Sequence, residues 1–197
     1  MDKSFAAAQL DPYAERITTG IAYLGGLLLL PLLFAYLANL RWGGLLIPSA
    51  VALLLAIFLL LTYANQPRNY RIIERNLVIQ RRLLPAIKIP LKNITGVSFA
   101  SALADMPRKG VRFAFNPGVF GYQGPFYLDP FGQAFLLATH REKLVALARY
   151  PATSLIISPD NPRTFVAILT EYLEELHEEQ GTTEQVPDTV PRRKSAV

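Results

Sequence analysis

The chain has 197 residues, 51% of them hydrophobic, with a mean hydropathy of +0.25 and a formal net charge of +5. It contains no cysteine, which excludes disulfides, thiolate metal sites and cysteine nucleophiles together. Much of the apolar excess lies in one early stretch, and about 130 residues remain for a soluble domain with its own core.

Residues 1–16 are mixed in charge and read as a short cytoplasmic approach to a membrane. Ile17–Leu40 and Trp42–Tyr63 then run without a charged side chain, separated by Arg41. A hydrocarbon core of about 30 Å needs roughly 20 helical residues, so each stretch is long enough to span it. Neither keeps the polar face of a helix buried in a soluble protein. The stretch is too long for a signal-peptide core, and a second apolar span follows at once. Residues 17–67 are therefore expected to form a two-helix transmembrane hairpin, turning tightly within Asn39–Gly44. Arg68, Arg71, Arg75, Arg81 and Arg82 follow the second span, whereas the turn carries only Arg41. That asymmetry puts both termini in the cytoplasm and the hairpin in the cell (inner) membrane, with Tyr13, Trp42, Tyr63 and Tyr70 at the interfaces.

From Tyr70 the pattern breaks into short runs: YRIIER, LVIQRRLL, AIKIPL, ITGVSF, VRFAF, AFLLAT, KLVALAR and SLIIS. Their β-branched and aromatic content, with turn formers between most of them, predicts about seven strands in a sandwich or partly open barrel. Asp129-Pro130-Phe131-Gly132 reads as a turn, and His140–Lys143 as the link of a hairpin. Ser158–Pro162 supplies an Asp or Asn cap followed by proline. Phe165, Ile168, Leu169, Tyr172, Leu173 and Leu176 then recur at helical spacing, with five glutamates on the other face and towards the end. The domain is bounded at 68–180, and residues 181–197 read as a disordered tail.

Ile89-Pro90-Leu91-Lys92-Asn93-Ile94-Thr95-Gly96-Val97, Pro117-Gly118-Val119-Phe120-Gly121-Tyr122 and the ending Leu155–Val166 carry a resemblance. Their order, after two apolar spans, resembles membrane-anchored bacterial pleckstrin-homology-like (bacterial PH) domains. The resemblance implies two roughly orthogonal sheets capped by the C-terminal helix, making the chain α+β overall. It does not by itself imply a phosphoinositide ligand.

Nothing in the sequence reads as an enzyme. There is no G-x-S-x-G, P-loop, H-E-x-x-H or dinucleotide fingerprint. His140 and His177 read as surface histidines, with no metal and no cofactor expected. Two candidate surfaces remain. Arg68, Arg71, Arg75, Arg81, Arg82 and Lys88 are candidate contacts to anionic headgroups, although retention of positive charge on the cytoplasmic side alone explains them more simply, and both can hold at once. Phe120 and Tyr122, in the glycine-rich stretch Phe113–Leu128, are candidates for an exposed interaction loop. The basic strands lack interleaved aromatics, so nucleic acid is not an expected partner. The expected role is a non-catalytic interaction or scaffolding module at the membrane, with membrane lipid and a protein partner or a second copy as partners. The alternatives are an anionic-lipid or small-ligand binding protein and an accessory subunit of a membrane complex.

Overall fold

A computed structural model describes residues 2–37, 46–100, 111–112, 116–128 and 132–183. The expected turn at Asn39–Gly44, residues 129–131 of the expected Asp129–Gly132 turn, and residues 184–197 of the expected 181–197 tail lie outside the described residues.

The chain opens with a strand, β1 (Lys3–Ala6), followed by helix α1 (Pro12–Leu37) and helix α2 (Leu46–Asn65). Gln66 alone separates α2 from β2 (Pro67–Ile73). Strands β3 (Asn76–Arg81) and β4 (Ile87–Pro90) complete a four-stranded antiparallel sheet in the order β1-β2-β3-β4. Ile87 and Ile89 of β4 turn towards the core and Lys88 between them is exposed, the period-2 pattern of a half-buried strand.

The second sheet contains β5 (Ile94–Phe99), β6 (Val111–Arg112), β7 (Asn116–Gly118), β8 (Gly121–Leu128), β9 (Gly132–Ala138), β10 (Val145–Arg149) and β11 (Ser154–Ile157). Its order is β5-β10-β11-β9-β8-β6, with β7 on β8, and β9 and β11 run parallel. The main core lies between the sheets and under helix α3 (Pro162–Thr183), where Tyr70, Leu77, Leu137, Leu147, Ile157 and Phe165 are fully enclosed. Phe165 meets Phe5 edge-on at 5.1 Å and Tyr70 at 5.9 Å. Each large apolar side chain enclosed here contributes about 1.5–3 kcal/mol. The other face of the second sheet is covered too. Tyr122, Phe126, Leu136 and Ile156 pack there with Ala14 of α1 and, at the edge, Leu10. Burial on both faces explains why β9 and β11 read as solid apolar runs rather than alternating ones.

The expected helix code at α3 is present. Asn161 Oδ1 accepts from the Thr164 amide at 3.3 Å and Pro162 occupies the first helical position, but the helix continues through Thr183, so residues 181–183 are helical and not part of a disordered tail. Three further points differ. Residues 1–16, expected as a short approach to the membrane, carry structure of their own, because β1 pairs with β2 and α1 starts at Pro12, five residues before the apolar run. His140–Lys143 does not close a hairpin, since β11 lies between β9 and β10. Ten strands, rather than about seven, follow α2 among the described residues, because glycine-rich or very short segments also pair.

Helices α1 and α2 run antiparallel, with Gly25 of α1 against Leu55 of α2. Both present large apolar side chains outward, including Tyr23, Phe34 and Leu37 on α1 and Leu53, Leu54 and Leu61 on α2. Among the described residues one helix, α2, is long and apolar enough to cross a membrane.

Candidate functional site

Buried polar side chains mark a single region. Among the described residues they are Asp11, Thr18, Thr62, Gln66, Asn116, Gln123, Thr139 and Ser158. Seven lie where the N-terminal segment and the two helices meet the second sheet, Gln66 joins α2 to the first sheet, and every buried side-chain polar atom among them is hydrogen-bonded. Buried groups left unpaired would each cost about 1–3 kcal/mol, so a fully satisfied seam fixes one docking geometry.

Asp11 is the centre of the seam on the α1 side. It caps the helix, with Oδ1 accepting from the Ala14 amide at 2.8 Å, and Pro12 takes the first helical position. Its carboxylate also accepts from the Tyr122 hydroxyl at 2.9 Å and from the Arg141 amide and Nε at 3.1 Å each. The Arg141 guanidinium lies over the Tyr13 ring at 4.6 Å. Burial pushes the Asp11 carboxyl upward. The donated hydrogen bonds from Ala14, Tyr122 and Arg141, with the Arg141 charge, outweigh that and hold it below the usual carboxylate range. Burial and the neighbouring carboxylate push the Tyr122 hydroxyl up, so it stays protonated as a donor. Further along α1, Thr18 Oγ1 bonds the Ala14 and Gly118 carbonyls and accepts from the Phe120 amide at 2.8 Å. Ser158 and Thr139 grip the preceding segment. The Ala8 amide donates to the Ser158 carbonyl at 2.9 Å, and the Thr139 hydroxyl donates to the Ala8 carbonyl.

The α2 side is held through Gln123 and two arginines. Gln123 Nε2 donates to the Thr62 carbonyl, and Gln123 Oε1 accepts from Asn65 Nδ2, both at 3.0 Å. Arg81 donates to Asn65 Oδ1 at 2.8 Å and twice to the Pro85 carbonyl. Arg82 donates to Gln66 Oε1 at 2.6 Å and lies 5.0 Å from the centre of the Tyr63 ring.

The six basic candidates do not form one patch. Arg68 and Arg82 line an open cleft of about 340 Å³ at the junction, with Ala8, Glu15 and Gln66. Arg81 is turned into the clamp between β3 and α2. Arg71 sits within β2, opposite Ser4, and Lys88 is exposed on β4. Arg75 lies in the β2–β3 turn and lines a groove with Glu175 of α3, past the far end of β2, which closes five strand steps and about 17 Å beyond Arg68. The aromatic candidates also differ from an exposed loop. Tyr122 is 3% exposed and belongs to β8, not to a tip. Phe120 is half-buried in the β7–β8 turn at φ +53°, its ring edge-on to Tyr63 at 5.2 Å. Left-handed backbone at a bulky residue is unfavourable, and the Thr18 bond and Tyr63 contact offset it. Sequence reasoning missed Asp11, although Asp11-Pro12 carries the same cap-then-proline code read in Ser158–Pro162.

No group of three or more His, Asp or Glu side chains able to hold a metal ion occurs among the described residues. A family model described as a bacterial PH domain matches residues 68–172, more than half of the chain. Comparisons with curated proteins and with solved structures returned no significant match.

Proposed function

The chain belongs to the bacterial PH domain family, whose domains generally mediate lipid or protein interactions, and on that premise we propose that it is a non-catalytic, membrane-anchored interaction module. In this reading α1 and α2 form a two-span hairpin in the cell membrane, both termini are cytoplasmic, and the domain is presented at the inner face. The observation that carries it is the buried polar seam: the domain is bolted to both helices through Asp11, Thr18, Thr62 and Gln123 instead of hanging from a linker. A domain held this way keeps one orientation to the bilayer, which suits a scaffold, and confinement to two dimensions raises the effective concentration of its partners.

The chain's lack of cysteine makes the topology directly testable. With single substitutions, Gly44→Cys in intact cells should react with a membrane-impermeant maleimide, and Ala196→Cys only after permeabilisation. Reaction of Ala196→Cys in intact cells would overturn the topology. Mass measurement of the full chain in nanodiscs then separates the partners. A homogeneous multimer assigns a self-associating scaffold, a stoichiometric foreign protein assigns an accessory subunit, and a bare monomer removes the scaffold reading.

The Arg68–Arg82 cleft supports a second reading, contact with an anionic headgroup. Each basic residue near an anionic leaflet gains about 1 kcal/mol. The full chain should then be more heat-stable in anionic than in zwitterionic nanodiscs, with the difference shrinking as salt rises and on Arg68→Gln.

A further inference from the structure

We infer that the β3–β4 loop is a wedge that enters the membrane leaflet, with Leu83 and Leu84 at the boundary between headgroups and acyl chains. The inference rests on the membrane-anchored reading and adds a contact that reading does not contain. Leu83 is 63% exposed and Leu84 37%, in a loop that sends neither side chain into either core. The loop is not free to fold back. Leu83 and Leu84 both direct their amides at the Ala64 carbonyl, at 3.2 and 3.3 Å, and Arg81 holds the Pro85 carbonyl from the other side. Ala64 is in the last turn of α2. Leu60 and Leu61, 58% and 57% exposed, precede it by four and three residues, about one helical turn.

The exposed leucines of the loop therefore continue the outward apolar surface of the one described helix suited to cross a bilayer. That continuity identifies the occupant as lipid. Arg82, exposed beside the leucines, places a cation at headgroup level, the usual arrangement at a membrane interface.

The test uses the full chain in nanodiscs with Trp42→Phe, which removes the sole tryptophan. Three single reporters are introduced in that background: Leu83→Trp, Leu53→Trp in the middle of α2, and Tyr150→Trp on an exposed bend of the domain. All three native residues are exposed, so the substitutions leave the cores intact. Leu83→Trp should emit at shorter wavelength than Tyr150→Trp, lose emission to lipids brominated near the headgroup, and resist aqueous iodide. Leu53→Trp should be quenched by deeply brominated lipid. Loss of the Leu83→Trp signal to iodide, with no effect of brominated lipid, overturns the wedge while leaving the anchor standing. Protection from both quenchers also overturns it and assigns the loop to a protein contact. If Leu53→Trp escapes brominated lipid, the anchor fails and the wedge falls with it.

Discussion

The Tyr122 hydroxyl and the Asp11 carboxylate meet at 2.9 Å across 111 positions of sequence. One residue caps the first helix and the other lies in the middle of the family-matched region, so this bond joins the helical and β parts of the molecule. Arg141 completes the arrangement by donating twice to the same carboxylate. Tyr122→Phe keeps the ring in its packing and removes one donor to a charged acceptor. It is expected to lower stability by about 2 kcal/mol, read as the denaturant midpoint of the full chain in nanodiscs. Tyr122→Ser also empties a core position and should cost more, about 3–5 kcal/mol.

Acid sensitivity follows from the same carboxylate. Its folded pKa is depressed relative to the ordinary 3.8. The stabilisation is therefore fully present above the unfolded value and is lost as pH falls through the folded one. Helix docking should be insensitive to Asp11 between neutrality and about pH 5, then weaken below about pH 4. Asp11→Asn should remove that component of the acid transition. Hydrogen exchange of the first turn of α1, followed from pH 7 to 3, checks both statements.

On the α2 side, Gln123→Ala removes the donor to the Thr62 carbonyl and the acceptor for Asn65. The expected loss is about 1–3 kcal/mol. Amide exchange should accelerate at residues 62–66 while the β9–β11 pairing stays protected, a local loosening instead of global unfolding.

Gly121 has no room for a side chain. Its φ is +115°, and an added Cβ would lie 2.6 Å from the Ala138 carbonyl oxygen. Gly121→Ala should destabilise by about 3 kcal/mol or more and reduce the yield of folded protein. Gly20, in α1, has nothing within 4 Å of the same position. Gly20→Ala should leave the melting temperature unchanged or slightly raised, since alanine is the better helix former by about 0.5–1 kcal/mol.

Local codes were legible in the sequence, and long-range pairings were not. The apolar stripe Phe165, Leu169 and Leu173 and the Asn161-Pro162 start specify α3 within a short window, and the phrase from Ile89 to Val97 carries the family likeness. By contrast, Lys3–Ala6 has no strand signature of its own and becomes a strand because β2 offers it an edge. His140–Lys143 looks like a hairpin link because periodicity records neighbours in sequence, whereas β11 enters between the flanking strands from later in the chain. Tyr122 lies among glycines and prolines that suggest a loop tip. Its burial depends on Asp11 and α1 reaching over the sheet, which composition near residue 122 does not encode. The basic cluster divided for a geometric reason: residues close in sequence lie along the length of β2 and β3, so Arg68 and Arg75 occupy opposite ends.

Strands β1 and β2 are hydrogen-bonded neighbours, with Ala6 opposite Asn69, and both helices occupy the place of the turn between them. During synthesis, Lys3–Ala6 emerges before β2 and has no mate until the helices have been made. Some 60 residues at about 5–20 per second amount to a wait of about 3–12 s. The sheet edge closes only after α1 and α2 have come together, so its completion reports that the helical pair has assembled. A chain in which that pairing stalls keeps β2 unsatisfied along one side, an exposed edge open to wrong partners or degradation. The same topology sets the terms for trimming. A fragment begun after α2 loses the first strand, Asp11 and its bond to Tyr122 in a single cut, whereas a short turn joining Ala8 to Gln66 would keep the first strand with the sheet.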